Sequence, residues 1–208
     1  STRPSARQPP RAAQARWRLA PSRAAPPPSP WKNSDSTPPR TRAARRAAAL
    51  REGFSGPLFL QGDHVQVALK KYLSPDRDKE LDTLRALIRE EIAAGFYNID
   101  IDTSTLVDLD KPTLAEQQAV NCELAADFAA FIRRNEPKDV TVSVGGEIGE
   151  VGGKNSDIHE LHAYMQGFNA ALAKKGAGLI GISKISVQTG TAHGGFVGDH
   201  LVVDAVDD

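Results

Sequence analysis

Cysteine and long apolar runs are nearly absent from this chain of 208 residues. Cys122 is the only cysteine, so the chain forms no internal disulfide and lacks the thiolate clusters of structural zinc sites. No apolar stretch reaches the ~20 residues of a membrane-spanning helix, or the ~7–15 residues of a secretory signal core. These absences argue against a membrane partner and predict a reducing compartment, with the cytoplasm as the default location.

Acidic residues are scarce in the first quarter of the chain. Residues 1–53 carry twelve lysines and arginines but only Asp35 and Glu52, a net charge of +10 that leaves −10 for the remainder. Ten of the fourteen prolines lie in the first 40 residues, where they disfavour a continuous helix or a central strand. We predict a disordered basic arm over residues 1–42 and a folded domain over residues 43–208.

Three interpretations of the arm compete. An N-terminus rich in arginine and serine and poor in acid is typical of an organelle transit peptide. Basic residues around Trp17 and Trp31 are typical of a nucleic-acid-binding arm. Neither pattern is specific, and a solvated tail, or a segment not native to the domain behind it, is the simplest interpretation. A nucleic-acid partner is therefore not expected, and an organelle stays the secondary location.

From Arg51 onward, short apolar runs alternate with segments of helical periodicity. The runs predict strands at 57–62, 97–102, 140–144 and 179–187. Between them, helices are predicted over 78–94, 113–135 and 157–175, the second and third opened by Thr113 and Asp157 as capping residues. Connections of that length require parallel pairing, because antiparallel neighbours need only a short turn. The predicted fold class is α/β.

Residues able to bind a metal stand at the carboxyl end of every predicted strand. Asp63 and His64 follow the first strand, Asp102 ends the second, Glu147 follows the third, and His193 follows the fourth. Function collects at this edge of a parallel sheet. Helix capping and simple packing explain each residue taken singly, but their coincidence at four strand ends favours a site for a divalent cation such as Zn²⁺. No chemistry is assigned to the other histidines, which are His159, His162 and His200.

Four motifs at these strand ends carry a family resemblance. They are, in chain order, Gly62-Asp63-His64, Asp102-Thr103-Ser104, the glycine-rich run at 146–153, and Gly190-Thr191-Ala192-His193-Gly194. Their types and their order resemble those of class II, metal-dependent ketose-bisphosphate aldolases. The resemblance spans roughly residues 43–200. It implies the third to sixth strands of a TIM (β/α)₈ barrel, so that the predicted fold is a partial barrel with about four of eight strands.

The same resemblance implies roles for the metal-binding residues. His64 and His193 correspond to ligands of the catalytic Zn²⁺. Glu147 corresponds to a carboxylate associated with alternative metal positions, and Asp102 to one near a second, divalent or monovalent, cation site.

The remaining implied roles concern the substrate, a sugar bisphosphate. Asp63 corresponds to the acid/base that moves the hydroxyl proton, and Gly194 to a backbone contact with the substrate phosphate. The implied reaction is the reversible cleavage of a ketose 1,6-bisphosphate to dihydroxyacetone phosphate and an aldehyde phosphate. Lys184 suggests the rival Schiff-base mechanism, but it precedes the end of its strand by several residues and is assigned a structural or interface role.

Two departures from the family pattern stand out. Lys154-Asn155-Ser156 replaces the acidic residues that often follow the paired glycines, which leaves fructose and tagatose bisphosphates as alternative substrates. The family's third zinc histidine and much of its phosphate-binding surface lie on strands that would follow Asp208, and the basic arm stands where the first two strands belong. We therefore expect a truncated or wrongly joined fragment that binds zinc weakly and cleaves substrate poorly.

Other function classes remain open. The first is a lyase of the aldolase type, which in its full-length form is expected to be a homo-oligomer. A second is a catalytically silent fragment or binding module whose unpaired sheet edges bind another protein. A metal-dependent hydrolase on a similar barrel would use the same ligand types, but the order of the motifs disfavours it.

Overall fold

Strands and amphipathic helices alternate along residues 37–149 and 154–188, the parts of the chain that the computed structural model describes. The helices and strands of these residues are, in chain order, α1 (Pro38–Arg51), β1 (Gln61–Gln66), α2 (Leu69–Tyr72), α3 (Arg77–Ala93), β2 (Asn98–Asp102), α4 (Leu114–Asn135), β3 (Ser143–Glu147), α5 (Ile158–Lys175) and β4 (Lys184–Ser186). A 3₁₀ turn at Ser104–Leu106 follows β2. None of the described helices is long and apolar enough to cross a lipid bilayer.

The four strands form one parallel sheet in the order β1-β2-β3-β4. Helices α3, α4 and α5 provide the three connections between successive strands. Two of these three helices, α4 and α5, begin at the capping residues that the sequence predicts. Thr113 caps α4 by accepting from the Glu116 amide, and Asp157 forms a capping box with Glu160 at α5. The prediction of an α/β fold with a parallel sheet is confirmed.

One face of the sheet packs against the helices and holds the apolar core. Ile99, Ile101 and Val144 alternate along their strands toward this layer and are fully buried. From the helices, Ile88, Phe128 and Phe168 pack against them in one cluster. Each such side chain contributes about 1.5–3 kcal/mol through burial, so this layer stabilises the sheet from one side.

The opposite face of the sheet is polar. The side chains on this face include those of Asp63, Asp100, Asp102, Glu147 and Lys184. Barrel interiors are usually filled by branched apolar side chains. A face that carries charges instead is not a conventional core layer. It is therefore the candidate location of a functional site.

Strand boundaries differ from the predicted ones in a consistent direction. β1 lies at 61–66 rather than 57–62, and Leu58 and Phe59 of the apolar run are exposed. β3 starts at Ser143 rather than 140, and β4 is confined to Lys184–Ser186. The ladders begin only where a neighbouring strand is in register, as at the pair Gln61 and Asn98. Apolar residues ahead of each ladder therefore lie outside the strands, whatever their strand propensity.

Helix α1 begins at Pro38, inside the range predicted for the disordered arm, so the predicted boundary at 42/43 falls within a helix. Pro38 and Pro39 occupy the first helical positions, where a missing amide proton costs nothing because it has no acceptor inside the helix. Arg42 then fastens α1 to the domain by donating to the Ala94 carbonyl at 2.7 Å. The first 36 residues of the predicted arm lie outside the described residues.

Candidate metal centre at the carboxyl ends of the strands

A backbone irregularity places His64 at the edge of the sheet. The pairing of β1 with β2 shifts between Gly62 and Val65, which marks a β-bulge. Within it, His64 has a φ of 54°, a left-handed conformation that is costly for a residue with a side chain. Strain of about 1–3 kcal/mol persists only where surrounding structure imposes it, and such residues cluster at functional sites. The bulge turns the imidazole toward the ends of β2 and β3.

The imidazole of His64 meets two carboxylates from the neighbouring strands. Its Nδ1 lies 3.2 Å from Oδ2 of Asp102 and 3.9 Å from Oε1 of Glu147. One ligand atom from each of the three residues fits within a group no wider than 4.8 Å. His64 is exposed, Glu147 is half-buried and Asp102 is almost fully buried, so the group opens to solvent on the imidazole side.

Asp102 is held by four hydrogen bonds. Oδ1 accepts from the amide and the hydroxyl of Ser104, and Oδ2 accepts from Nε2 of Gln66 as well as facing Nδ1 of His64. These donors occupy the lone pairs of both oxygens. A carboxylate that receives Nδ1–H fixes the tautomer and leaves Nε2 free for a metal. In this geometry Asp102 orients the imidazole of His64.

Burial and mutual repulsion shape the electrostatics of the group. Burial, followed by the negative charges of Asp102 and Asp100, raises the pKa of Glu147 to about 7. Burial also raises the pKa of Asp100, and the charge of Asp63 adds to the shift. For His64, burial lowers the pKa, but the hydrogen bond with Asp102 and the charges of Glu147 and Asp63 outweigh it, so the net shift is upward. A divalent cation at this edge would relieve the repulsion between the carboxylates.

Asp63 lies beside this group on β1. It is exposed, and its Oδ1 accepts from Nε2 of Gln61 at 3.0 Å. Lys184, the rival Schiff-base residue, lies at the start of β4 and donates to Oε1 of Gln61. This hydrogen bond joins β4 to β1 across the polar face of the sheet, as a lysine with a structural role would do.

An open cleft of about 290 Å³ borders the group. The described residues on its wall include His64, Glu147, Ser104 and Ser186. This volume is near the lower limit of about 300–1,000 Å³ for small-ligand sites. Gly149 also contributes to the wall and has a φ of 80° that favours glycine.

Several residues that support the candidate site received no role in the sequence analysis. Gln66 follows His64 by two positions on β1, and Ser104 follows Asp102 by two, the spacing of an Asx turn that could have revealed it. Asn121 and Gln118 of α4 reach the end of β3 from the helix side. Residue type alone misleads here, because the apolar Val120 of α4 is 40% exposed whereas the neighbouring amide Asn121 is fully buried.

The donor set fits zinc as far as the described residues reach. An imidazole nitrogen and a carboxylate oxygen are ordinary Zn²⁺ ligands, and the exposed side of the group leaves room for further ligands. The predicted ligand His193 and the predicted phosphate contact Gly194 lie outside the described residues. His159 and His162 are exposed on α5 and are not part of the group formed by His64, Asp102 and Glu147.

Comparison with known proteins adds no assignment. No protein-family model matches the chain, and no curated protein matches it at a significant level.

Proposed function

We propose that this chain carries a sector of a class II, zinc-dependent aldolase barrel whose substrate is a ketose 1,6-bisphosphate. The observation that supports this function best is the strained His64, oriented by Asp102 and adjacent to Glu147 at the ends of three neighbouring parallel strands. The same three residues were singled out by the aldolase-like motifs, which follow one another in the same order along the chain.

The strand order supports a barrel sector. Each strand pairs with its successor, β1 to β4, and the helices pack on a single face. Doubly wound sheets reverse their strand order at a switch point and carry helices on both faces. A sequential order with one helical layer is the arrangement of a (β/α)₈ barrel.

Each residue has a defined part in the proposed cleavage. When bound, Zn²⁺ acts as a Lewis acid toward the ketose carbonyl. His64 would hold it through Nε2, and Glu147 would contribute an oxygen. The Asp63 carboxylate takes the proton of the C4 hydroxyl, the C3–C4 bond breaks, and its electron pair moves toward the C2 carbonyl. The products are an aldehyde phosphate and, after protonation at C3, dihydroxyacetone phosphate.

We expect slow, zinc-dependent cleavage of fructose or tagatose 1,6-bisphosphate by the 208-residue chain. The Asp63→Ala variant should lower the rate by about 10²-fold or more, because the hydroxyl proton loses its acceptor. Asp139→Ala removes an exposed aspartate outside the site and serves as the matched control. Release of triose phosphate is measured with a coupled reductase assay, with and without a chelator.

Cleavage that survives excess chelator, or that is as fast in Asp63→Ala as in Asp139→Ala, would contradict the proposed mechanism. Absence of cleavage of both bisphosphates in the presence of zinc would favour a catalytically silent module instead.

A further inference from the structure

Two amide side chains lie buried on the face of α4 that packs against the sheet. Asn121 is fully buried and Gln118 is 4% exposed, although this face of the helix otherwise contributes apolar residues such as Leu124 and Phe128. Burying an amide is unfavourable unless its hydrogen bonds are made, so each needs partners in this layer.

The partners of Asn121 are at the ends of two different strands. Its Nδ2 donates to the backbone carbonyl of Glu147 at 2.9 Å, and its Oδ1 accepts from the hydroxyl of Thr103 at 2.6 Å. Thr103 directly follows Asp102. Asn121 also donates to Oε1 of Gln118, whose own Nε2 donates to the Ile148 carbonyl at 2.7 Å. The network therefore joins the residue after Asp102 to the backbone of Glu147.

This link spans a gap in the sheet. The ladder between β1 and β2 continues to the pair Gln66 and Asp102, and that between β3 and β4 continues to Glu147 and Ser186. Between β2 and β3, however, the last pair is Asp100 and Gly145. Asp102 is thus paired with β1, and Glu147 is paired with β4, at the carboxyl ends of their strands. Among the described residues, no ladder pair joins β2 to β3 beyond Asp100 and Gly145, so backbone pairing does not hold Asp102 and Glu147 to one another.

We propose that Asn121 is a positioning residue that fixes the separation between the carboxyl ends of β2 and β3. It thereby sets the distance of Glu147 from Asp102 and His64. This inference rests on the proposed metal centre for its functional meaning, while its structural content can be measured without metal. Outer residues that orient metal ligands typically change affinity by about 10–100-fold when they are replaced.

The test compares Asn121→Leu, which keeps the branched shape of the side chain and removes its hydrogen bonds to Thr103 and Glu147, with the milder Thr103→Val, which removes only the hydroxyl. Cys122→Ala is the matched control, since Cys122 is the next buried residue of α4 and contacts Tyr164 rather than the strand ends. Amide hydrogen exchange of the metal-free chain is followed at Val67, which donates to the Asp102 carbonyl, and at Ile148, which donates to the Ser186 carbonyl, so that the two amides report on the ends of β2 and β3 that Asn121 joins. Zn²⁺ affinity is then measured by calorimetry.

We expect exchange at these two amides to accelerate at least 10-fold relative to mid-strand amides in Asn121→Leu, and less in Thr103→Val. We also expect zinc to bind about 10–100-fold more weakly to Asn121→Leu. Uniform acceleration of all amides, no acceleration at the edge, or unchanged zinc affinity despite a loosened edge would overturn the positioning role. A loosened edge in a chain whose unmodified form binds no zinc would support the structural link and refute the metal centre.

Discussion

Replacing Glu91 by glutamine is expected to stabilise the protein by about 3 kcal/mol at pH 9 and to change its stability little near pH 4. Glu91 lies on α3 beneath β1 and is fully buried. Neither carboxyl oxygen has a hydrogen-bond partner among the described residues, and the carboxyl group packs directly over Gly62. Burial raises the pKa of Glu91 from 4.5 to about 7.

The direction of the effect follows from proton binding. Below pH 4.5, the folded and unfolded chains both hold the proton, and the carboxyl group adds no pH dependence. Between pH 4.5 and 7 the unfolded chain releases the proton while the folded chain retains it, so stability falls as pH rises. Above pH 7 the folded protein carries a buried, unpaired carboxylate and the penalty is complete.

Urea unfolding at pH 4, 7 and 9 measures this penalty. Glu90→Gln is the matched control because it removes the same charge from the adjacent, exposed position. The free-energy difference between Glu91→Gln and the unmodified chain should grow with pH, whereas Glu90→Gln should show no comparable growth. A difference that is the same at all three pH values would show that the buried carboxyl group is not the source.

Gly146→Ala is expected to destabilise the protein by about 1–3 kcal/mol, and Tyr164→Phe to remove most of that cost. A Cβ at position 146 would overlap the hydroxyl oxygen of Tyr164, whose ring is fully buried and stacks on Phe168. Without the hydroxyl, the nearest atoms to the new methyl group would be the ring carbon at 3.4 Å and Ile182 Cδ1 at 3.5 Å, which are near ordinary contact distances.

Tyr164→Phe alone should stabilise the protein by about 1 kcal/mol, because the buried hydroxyl has no hydrogen-bond partner among the described residues. A double-mutant cycle by chemical denaturation then isolates the coupling between positions 146 and 164. Gly145→Ala is the control, since its Cβ would meet Asp100 and Lys184 on the opposite face of the sheet. Rescue of Gly145→Ala by Tyr164→Phe, or no rescue of Gly146→Ala, would contradict the assignment of the two faces.

The parallel sheet could be predicted from the sequence because helical periodicity and connection length act over many residues. The details of the site could not. The bulge at His64 interrupts a strand in which no residue type announces a left-handed conformation. Asn121 and Gln118 resemble a solvated stripe of α4 by residue type, and only the packing of that helix on the sheet shows them to be buried. Strand limits shifted for a related reason, since they depend on the register of neighbouring strands.

Capping residues were the most predictable local features. Asp157 and Glu160 interact within a single turn of helix, so their geometry does not depend on tertiary contacts. The convergence of His64, Asp102 and Glu147 could be predicted only in part. Its location at the carboxyl ends of parallel strands follows from topology, whereas the orientation of Asp102 depends on hydrogen bonds from Gln66 and Ser104.

Zinc titration of the 208-residue chain by calorimetry, alongside His64→Ala and His159→Ala, tests the metal centre most directly. We predict that one Zn²⁺ binds per chain, with affinity reduced about 10²-fold or more in His64→Ala because an imidazole ligand is lost. His159 is exposed in the first turn of α5 and is not part of the group formed by His64, Asp102 and Glu147, so His159→Ala should bind zinc as the unmodified chain does. Equal affinity in the unmodified chain and His64→Ala, or no binding by the unmodified chain, would contradict a metal centre at the edge of this sheet.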